Sequence, residues 1–194
     1  AAVQQEDYAE RFKAMGTPAT AVQVIHSMKW DNLPVRDDVP GSAELATAMG
    51  IDRTQPVIVA GSTGPDEERL LIDTCPQDAQ LVLVPRKPER FDEVAALDAN
   101  MVRRSRCPDG SAMAVDPQRR LFLVDTMGEL MKAYALADVA LVGRSFVGLF
   151  GSNPLEPVTL GKATIIGTHH SDFQDMVDGL KDGDGIRISD APGE

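Results

Sequence analysis

Cysteine is nearly missing from this sequence: Cys75 and Cys107 are the 2 cysteines among 194 residues. They lie far apart and in no metal-ligand spacing. That excludes a disulfide framework and a cysteine metal site, and it fits the reduced thiols of a cytosolic protein. Long apolar runs are missing too, and nothing approaches the roughly 18 consecutive apolar residues that span a bilayer. The opening AAVQQEDYAERF is polar and lacks both an initiator Met and the apolar stretch of a signal peptide. With the equally abrupt close RISDAPGE, it predicts a piece of a longer protein. Positive charge is scarce, with Lys and Arg numbering 19 against 30 Asp and Glu, a net charge of −11. Wrapping of nucleic acid by bulk electrostatics is therefore excluded, and any bound anion must be held by a local cluster of donors.

What is present suits one sizeable domain or two very small ones, with 43% hydrophobic and 25% charged residues as in ordinary globular chains. There are no internal repeats and no low-complexity tracts. Short runs rich in Val, Ile and Leu recur at 22–25 (VQVI), 56–61 (PVIVAG), 81–85 (LVLVP), 121–125 (LFLVD), 139–143 (VALVG) and 163–167 (ATIIG). Such runs are the pattern of parallel strands covered on both faces. Amphipathic segments alternate with them at 65–74, 88–99 and 127–137. A succession of β-α units predicts an α/β fold with a doubly wound parallel sheet. Residues 31–42 read as a linker before a short helix starting near Ser42. The arginine-rich stretch 104–120 reads as a solvated surface loop.

In such sheets ligands gather beyond the carboxyl ends of the strands, and those loops carry the unusual residues here. After the strand at 56–60, GSTGPDEE offers Gly61 for close backbone approach, with Ser62 and Thr63 as hydroxyl and N–H donors. It is either an anion cradle or a plain helix start in which Asp66, Glu67 and Glu68 complement the dipole. It is not a P-loop, because no Lys-Ser or Lys-Thr pair follows at the required spacing. Arg86 and Lys87 of PRKPERF stand at the next strand exit, where a guanidinium can grip phosphate. Glu89 and Arg90 read as a solvated helix face. DTMGEL reads as a helix start capped by Asp125 or Thr126, with Glu129 in the first turn. Gly128 there, unnecessary for capping, suggests that something flat packs on the backbone. In GSNPLEP, Asn153 is an N-cap and Pro154 a first helical residue. Glu156 complements the dipole or, aimed by the flanking Pro157, accepts both hydroxyls of a ribose.

VIVAGST, LVLVPRKPERFDEVA, RRS, LVDTMGELMKAYALADVALVG, SFV and GSNPLEPVTLGK together closely resemble 3-deoxy-D-manno-octulosonic acid (Kdo) transferases. EDYAERFKAMG and VQVIHSMKWD resemble that family's crossover between lobes. The resemblance covers nearly the whole chain and implies the C-terminal, Rossmann-like lobe of a GT-B glycosyltransferase. On that basis, residues 1–40 are expected to be the interlobe crossover and linker, and residues 41–194 the nucleotide-sugar-binding domain. The family moves Kdo from CMP-Kdo to a lipid A precursor in lipopolysaccharide assembly, at the cytoplasmic face of the bacterial inner membrane. Its N-terminal lobe carries the catalytic base, the acceptor surface and the membrane association, so no catalytic residue and no transfer by this chain alone are expected.

Residue by residue, the resemblance implies that Arg86 meets the donor phosphate or base edge. Met127 and Gly128 meet cytosine through the backbone, beside Glu129. Asn153 and Glu156 hold phosphate and ribose hydroxyls. Ser62 and Ser145 offer hydroxyls near the sugar with Thr63 beside them, and Lys29 adds charge from the crossover. No metal and no cofactor are implied, since cations and helix N-termini would stabilise the leaving phosphate. The chain departs from the family pattern at Gly64, Lys87 and Ser152, where His is usual, at HSMK in place of GNLK, and at Arg144 in place of the second of two glycines. Arg144 either restores positive charge or obstructs the sugar. His169 matches a frequent family position or is simply solvated. Two other readings remain: the donor domain of a different GT-B glycosyltransferase, and a stand-alone nucleotide-binding module.

Overall fold

The computed structural model describes residues 1–4, 6–25, 35 and 38–192. The chain divides into two compact units, Ala1–Pro34 and Val35–Glu194. In the first, β1 (Ala2–Val3) pairs in parallel with β2 (Gln23–Val24). Between them runs α1 (Glu6–Ala14), with Glu6 and Asp7 in its first turn and Arg11 and Lys13 in its last, the charge order that suits a helix dipole. The apolar run at 22–25 thus belongs to this small two-stranded sheet and not to the main one. Lys29 lies outside the described residues.

The second unit is built on seven parallel strands in the order β5-β6-β4-β3-β7-β8-β9. They are β3 (Val57–Thr63), β4 (Gln80–Pro85), β5 (Val102–Arg103), β6 (Leu121–Leu123), β7 (Val139–Val142), β8 (Ala163–Gly167) and β9 (Arg187–Ser189). The strands β5 and β9 close the two edges. At two and three residues they are too short to leave a periodic signature in sequence. The connecting helices are α2 (Ser42–Met49), α3 (Glu67–Thr74), α4 (Phe91–Ala95), α5 (Leu130–Leu136), α6 (Leu155–Val158) and α7 (Gln174–Asp182).

Successive side chains of a strand point to opposite faces, so a run that is apolar throughout must be covered on both. Val57, Val59, Val82 and Val84 pack with Leu45 and Met49 of α2 and with Tyr134 of α5. Ala60, Leu81 and Leu83 face the other way, onto Leu71 of α3, Val94 of α4 and Phe146. Two apolar layers sandwiching one sheet are what the Val-, Ile- and Leu-rich runs demand. The chain leaves β3 toward β4 on one side and returns after β6 to β7 on the other. The strand order therefore reverses between β3 and β7, and the crevice beyond their carboxyl ends is the expected ligand seat.

Candidate functional site

A buried carboxylate organises that crevice. Glu67, at the start of α3, is fully buried. Its Oε2 accepts the N–H groups of Gly64 (3.1 Å) and Arg144 (2.6 Å), and its Oε1 those of Ser145 (3.0 Å) and Phe146 (3.1 Å). Burial pushes this carboxyl above its ordinary range, against the pull of the four amides. Glu67 is therefore a clamp joining the β3–α3 loop to the loop after β7, not a solvated partner for the helix dipole. Gly143 lets the two loops close, because a Cβ there would meet the Ser62 carbonyl and the Thr63 backbone at 2.7 Å.

The clamped loops are strained. The described non-glycine residues with positive φ are Ser62, Asp66, Arg144, Phe150 and Asp184, and all but Asp184 lie in these two loops or, for Ser62, at the end of β3 that leads into one of them. Such conformations cost about 1–2 kcal/mol each and concentrate at functional sites. Ser62 sits at an irregularity in the β3–β4 register, between Gly61 and Thr63. It is thus a bulge at the end of a longer β3 and not part of a helix start. Gly61 does admit a close neighbour, but a protein one: a Cβ there would run into the hydroxyl of Tyr134.

Arginine–carboxylate pairs brace the neighbouring loops. Arg90 grips Glu68 with both terminal nitrogens (2.7 and 3.0 Å) and reaches Glu93 at 2.8 Å. Both Arg90 and Glu68 are buried, so neither is the solvated group that local composition suggests. The 104–120 stretch is likewise anchored at its start. Arg104 is buried and bonded to Glu129, and the Ser105 amide and hydroxyl donate to Asp125 at 2.7 and 2.6 Å, joined by Arg103 at 2.7 Å. Burial pushes the Asp125 carboxyl up, but these donors outweigh it and hold it below its ordinary range. Asp125 therefore caps no helix, and α5 begins only at Leu130.

The residues singled out from sequence separate into two groups. Thr63 donates to Glu68 at 2.8 Å, and Ser145 donates to the Val142 carbonyl at 2.5 Å while accepting the Gly167 amide at 2.7 Å. Both side chains are buried, so these hydroxyls hold the fold and are not offered to a ligand. The Glu129 carboxylate is taken up in the same way by Arg104, Thr126 and Lys132. The other group remains available. Among the described residues, the Ser62 hydroxyl, the Arg86 guanidinium and the Glu156 carboxyl form no hydrogen bond. Asn153 accepts the Leu155 amide at its Oδ1 (3.2 Å) from one residue before the cap position, which Pro154 occupies because α6 begins only at Leu155, and its NH2 is left over. Met127 is 72% exposed, and Gly128 adopts φ 81° with open space where a Cβ would stand.

Glu156 and Arg86 are electrostatic neighbours. Burial raises the Glu156 carboxyl above its ordinary value, and Arg86 is the charge that opposes the rise. Glu156 stands in the first turn of the four-residue α6, where a carboxylate also complements the helix dipole. The Tyr134 hydroxyl is raised first by burial and then by the charges of Glu156 and Glu67. His169 is exposed, whereas His170 is buried with Nδ1 2.7 Å from the Gly167 carbonyl. Among the described residues no group of three His, Cys, Asp or Glu gathers as a metal site, and no helix is long and apolar enough to cross a membrane.

A seven-stranded parallel sheet whose order reverses at such a crevice is a doubly wound α/β fold, the architecture of the C-terminal lobe of GT-B glycosyltransferases. The chain is 36% identical over 185 residues to the 3-deoxy-D-manno-octulosonic acid transferase of Bordetella pertussis, covering 89% of this chain and 42% of that protein. It is 33% identical over 187 residues to that of Haemophilus influenzae, covering 90% and 42%. It thus spans less than half the length of these relatives. The crystal structure of the C-terminal CMP-Kdo binding domain of WaaA from Acinetobacter baumannii superposes with a TM-score of 0.68 at 30% identity, covering 78% of this chain and 81% of that one. No family model matches the chain. The chain belongs to the 3-deoxy-D-manno-octulosonic acid transferase family and corresponds to its C-terminal domain.

Proposed function

We propose that this chain binds CMP-Kdo in the β3–β7 crevice, as the donor domain of an enzyme that transfers Kdo to a lipid A precursor. Residues 1–40 are assigned to the interlobe crossover and linker, and 41–194 to the donor domain. The observation that carries the reading is the half-buried Glu156 carboxyl, which has no hydrogen-bond donor among the described residues and feels the charge of Arg86. Ribose hydroxyls would supply the missing donors, and the nucleotide's phosphate would meet Arg86. The exposed Met127 and bare Gly128 suit contact with the flat cytosine ring, and the Asn153 NH2 and Ser62 hydroxyl are further donors. In transfer, the acceptor hydroxyl bonds to the anomeric carbon as the bond from that carbon to the phosphate oxygen breaks. CMP leaves with the electron pair, and the acceptor's proton passes to a base on the enzyme's other lobe. Acceptor binding and attachment to the inner membrane's cytoplasmic face are assigned to that lobe as well. No metal or cofactor takes part in this scheme, because positioned cations answer the phosphate charge.

Titration of the 194-residue chain tests the reading. It should bind CMP in preference to UMP, and equal binding would point to a glycosyltransferase with another nucleotide sugar. Glu156→Gln should leave the melting temperature unchanged or slightly higher, because burial already disfavours the charge. The same change should weaken CMP markedly and 2′,3′-dideoxy-CMP far less, since that ligand has no hydroxyls to lose. Unchanged CMP affinity in this variant would remove Glu156 from the site. Arg86→Ala should weaken CMP by roughly ten- to a hundredfold, the range of a charge-assisted hydrogen bond, and cytidine much less. Equal losses for CMP and cytidine would show that Arg86 does not hold the phosphate.

A further inference from the structure

Four cations line one cavity next to the crevice. It has a volume of about 440 Å³, and Arg86, Lys87, Arg90 and Arg144 surround it with Thr63 and Gly64. No described acidic residue lines it, in a chain whose net charge is −11. Arg90 is 8% exposed, and its Nε has no hydrogen-bond partner. Arg144 is held at φ 60° by the bond from its N–H to Glu67, and of its guanidinium only Nη2 is engaged, with the Leu149 carbonyl at 2.9 Å. The bare Gly64 makes this placement possible. A Cβ at 64 would meet Leu149 Cδ1 at 2.5 Å and Arg144 Cγ at 3.2 Å.

We propose that this cavity seats the carboxylate of the donor's sugar acid, with Arg144 and Lys87 as its ligands, and that Arg144 selects an acidic sugar over a neutral one. The inference rests on CMP occupying the crevice as described above. In a nucleotide-activated 2-keto-3-deoxy sugar acid, the carboxylate and the phosphate oxygen hang from the same carbon. The two anionic groups are therefore adjacent and need adjacent cations. Arg86 is shared: it lines the cavity and is also the charge acting on Glu156. That order places ribose at Glu156, phosphate at Arg86 and carboxylate beyond it, between Arg144 and Lys87. A neutral hexose would leave Arg144 without an anion to meet, whereas Lys87 would keep only its long, exposed pairing with Glu89 at 3.7 Å.

The test is calorimetric titration of the 194-residue chain and two variants, Arg144→Gly and Lys87→Ala, with CMP and with CMP-Kdo. Glycine accepts the left-handed backbone at 144 without strain, and Lys87 is exposed, so both variants should fold. The unsubstituted chain should bind CMP-Kdo more tightly than CMP. Arg144→Gly should lose roughly ten- to a hundredfold toward CMP-Kdo while keeping CMP within about twofold, and Lys87→Ala should show the same split to a smaller extent. CMP-Kdo affinity unchanged in Arg144→Gly, or CMP and CMP-Kdo weakened alike, would overturn the carboxylate seat while leaving the nucleotide site standing. Failure of the unsubstituted chain to bind CMP at all would overturn both.

Discussion

Replacing Glu67 by alanine is expected to lower the melting temperature by roughly 10 °C. One carboxylate accepts the amides of Gly64, Arg144, Ser145 and Phe146 at 2.6–3.1 Å from a fully buried position. Each buried donor left without an acceptor costs about 1–3 kcal/mol, and partial opening of the loops to water brings the total to about 3–5 kcal/mol. At about 2–4 °C per kcal/mol for a chain of this size, that is the expected shift. Glu67→Gln should be nearly as damaging, since its NH2 would face amide donors where an oxygen stood. The loops it ties also carry Arg144 and lie against the crevice, so the variant should bind CMP more weakly even well below its melting point. A drop of less than about 2 °C would show that the loops hold their shape by other means.

Glu68→Ala should be comparably destabilising, by about 3 kcal/mol, because it leaves the buried Arg90 guanidinium only its bond to the exposed Glu93 and removes the acceptor of the Thr63 hydroxyl. Removing one partner of a buried ion pair is far more harmful than replacing both with apolar groups of similar volume. The double variant Glu68→Leu with Arg90→Met should therefore recover more than half of the loss. Urea titration would register this as a shift of midpoint at constant slope. If the double variant is as unstable as the two single changes added together, the pair is not acting as a unit. The comparison also separates stability from binding, since the double variant removes one cation from the cavity wall while restoring the fold.

Much of the architecture was legible in the residues themselves. A strand that must be apolar on both faces cannot hide its pattern, so β3, β4, β7 and β8 stand out as unbroken Val, Ile and Leu runs, and alternating helices follow. The family and the crevice were legible for a related reason. NPLEP and DTMGEL combine glycine, proline and polar residues at strand exits, where only a ligand or a tight turn makes use of them. Met127, Gly128, Asn153 and Glu156 all keep something to offer there. The edge strands β5 and β9 escaped notice because two or three residues carry no period. The helix α7 did leave a signal, with Met176, Val177 and Leu180 buried on one face.

Only the tertiary structure decided which polar side chains are occupied. Thr63, Glu67, Glu68, Arg90, Arg104, Glu129 and Ser145 look in sequence like surface groups or ligands, because a residue's identity states what it can donate or accept but not where its partner lies. Thr63 finds its acceptor Glu68 five residues on, but most of the others depend on partners distant along the chain. Glu67 meets residues 144–146, Arg104 meets Glu129, and Ser145 meets Gly167. Long-range pairing is created by the folding of the sheet, and it leaves no local pattern for periodicity or capping rules to detect. The same holds for the basic cavity. Arg86 and Lys87 leave one strand, and Arg144 follows another that pairs on the far side of β3. Gly64 reads as an ordinary turn residue until the side chains of Arg144 and Leu149 fill the space where its Cβ would be.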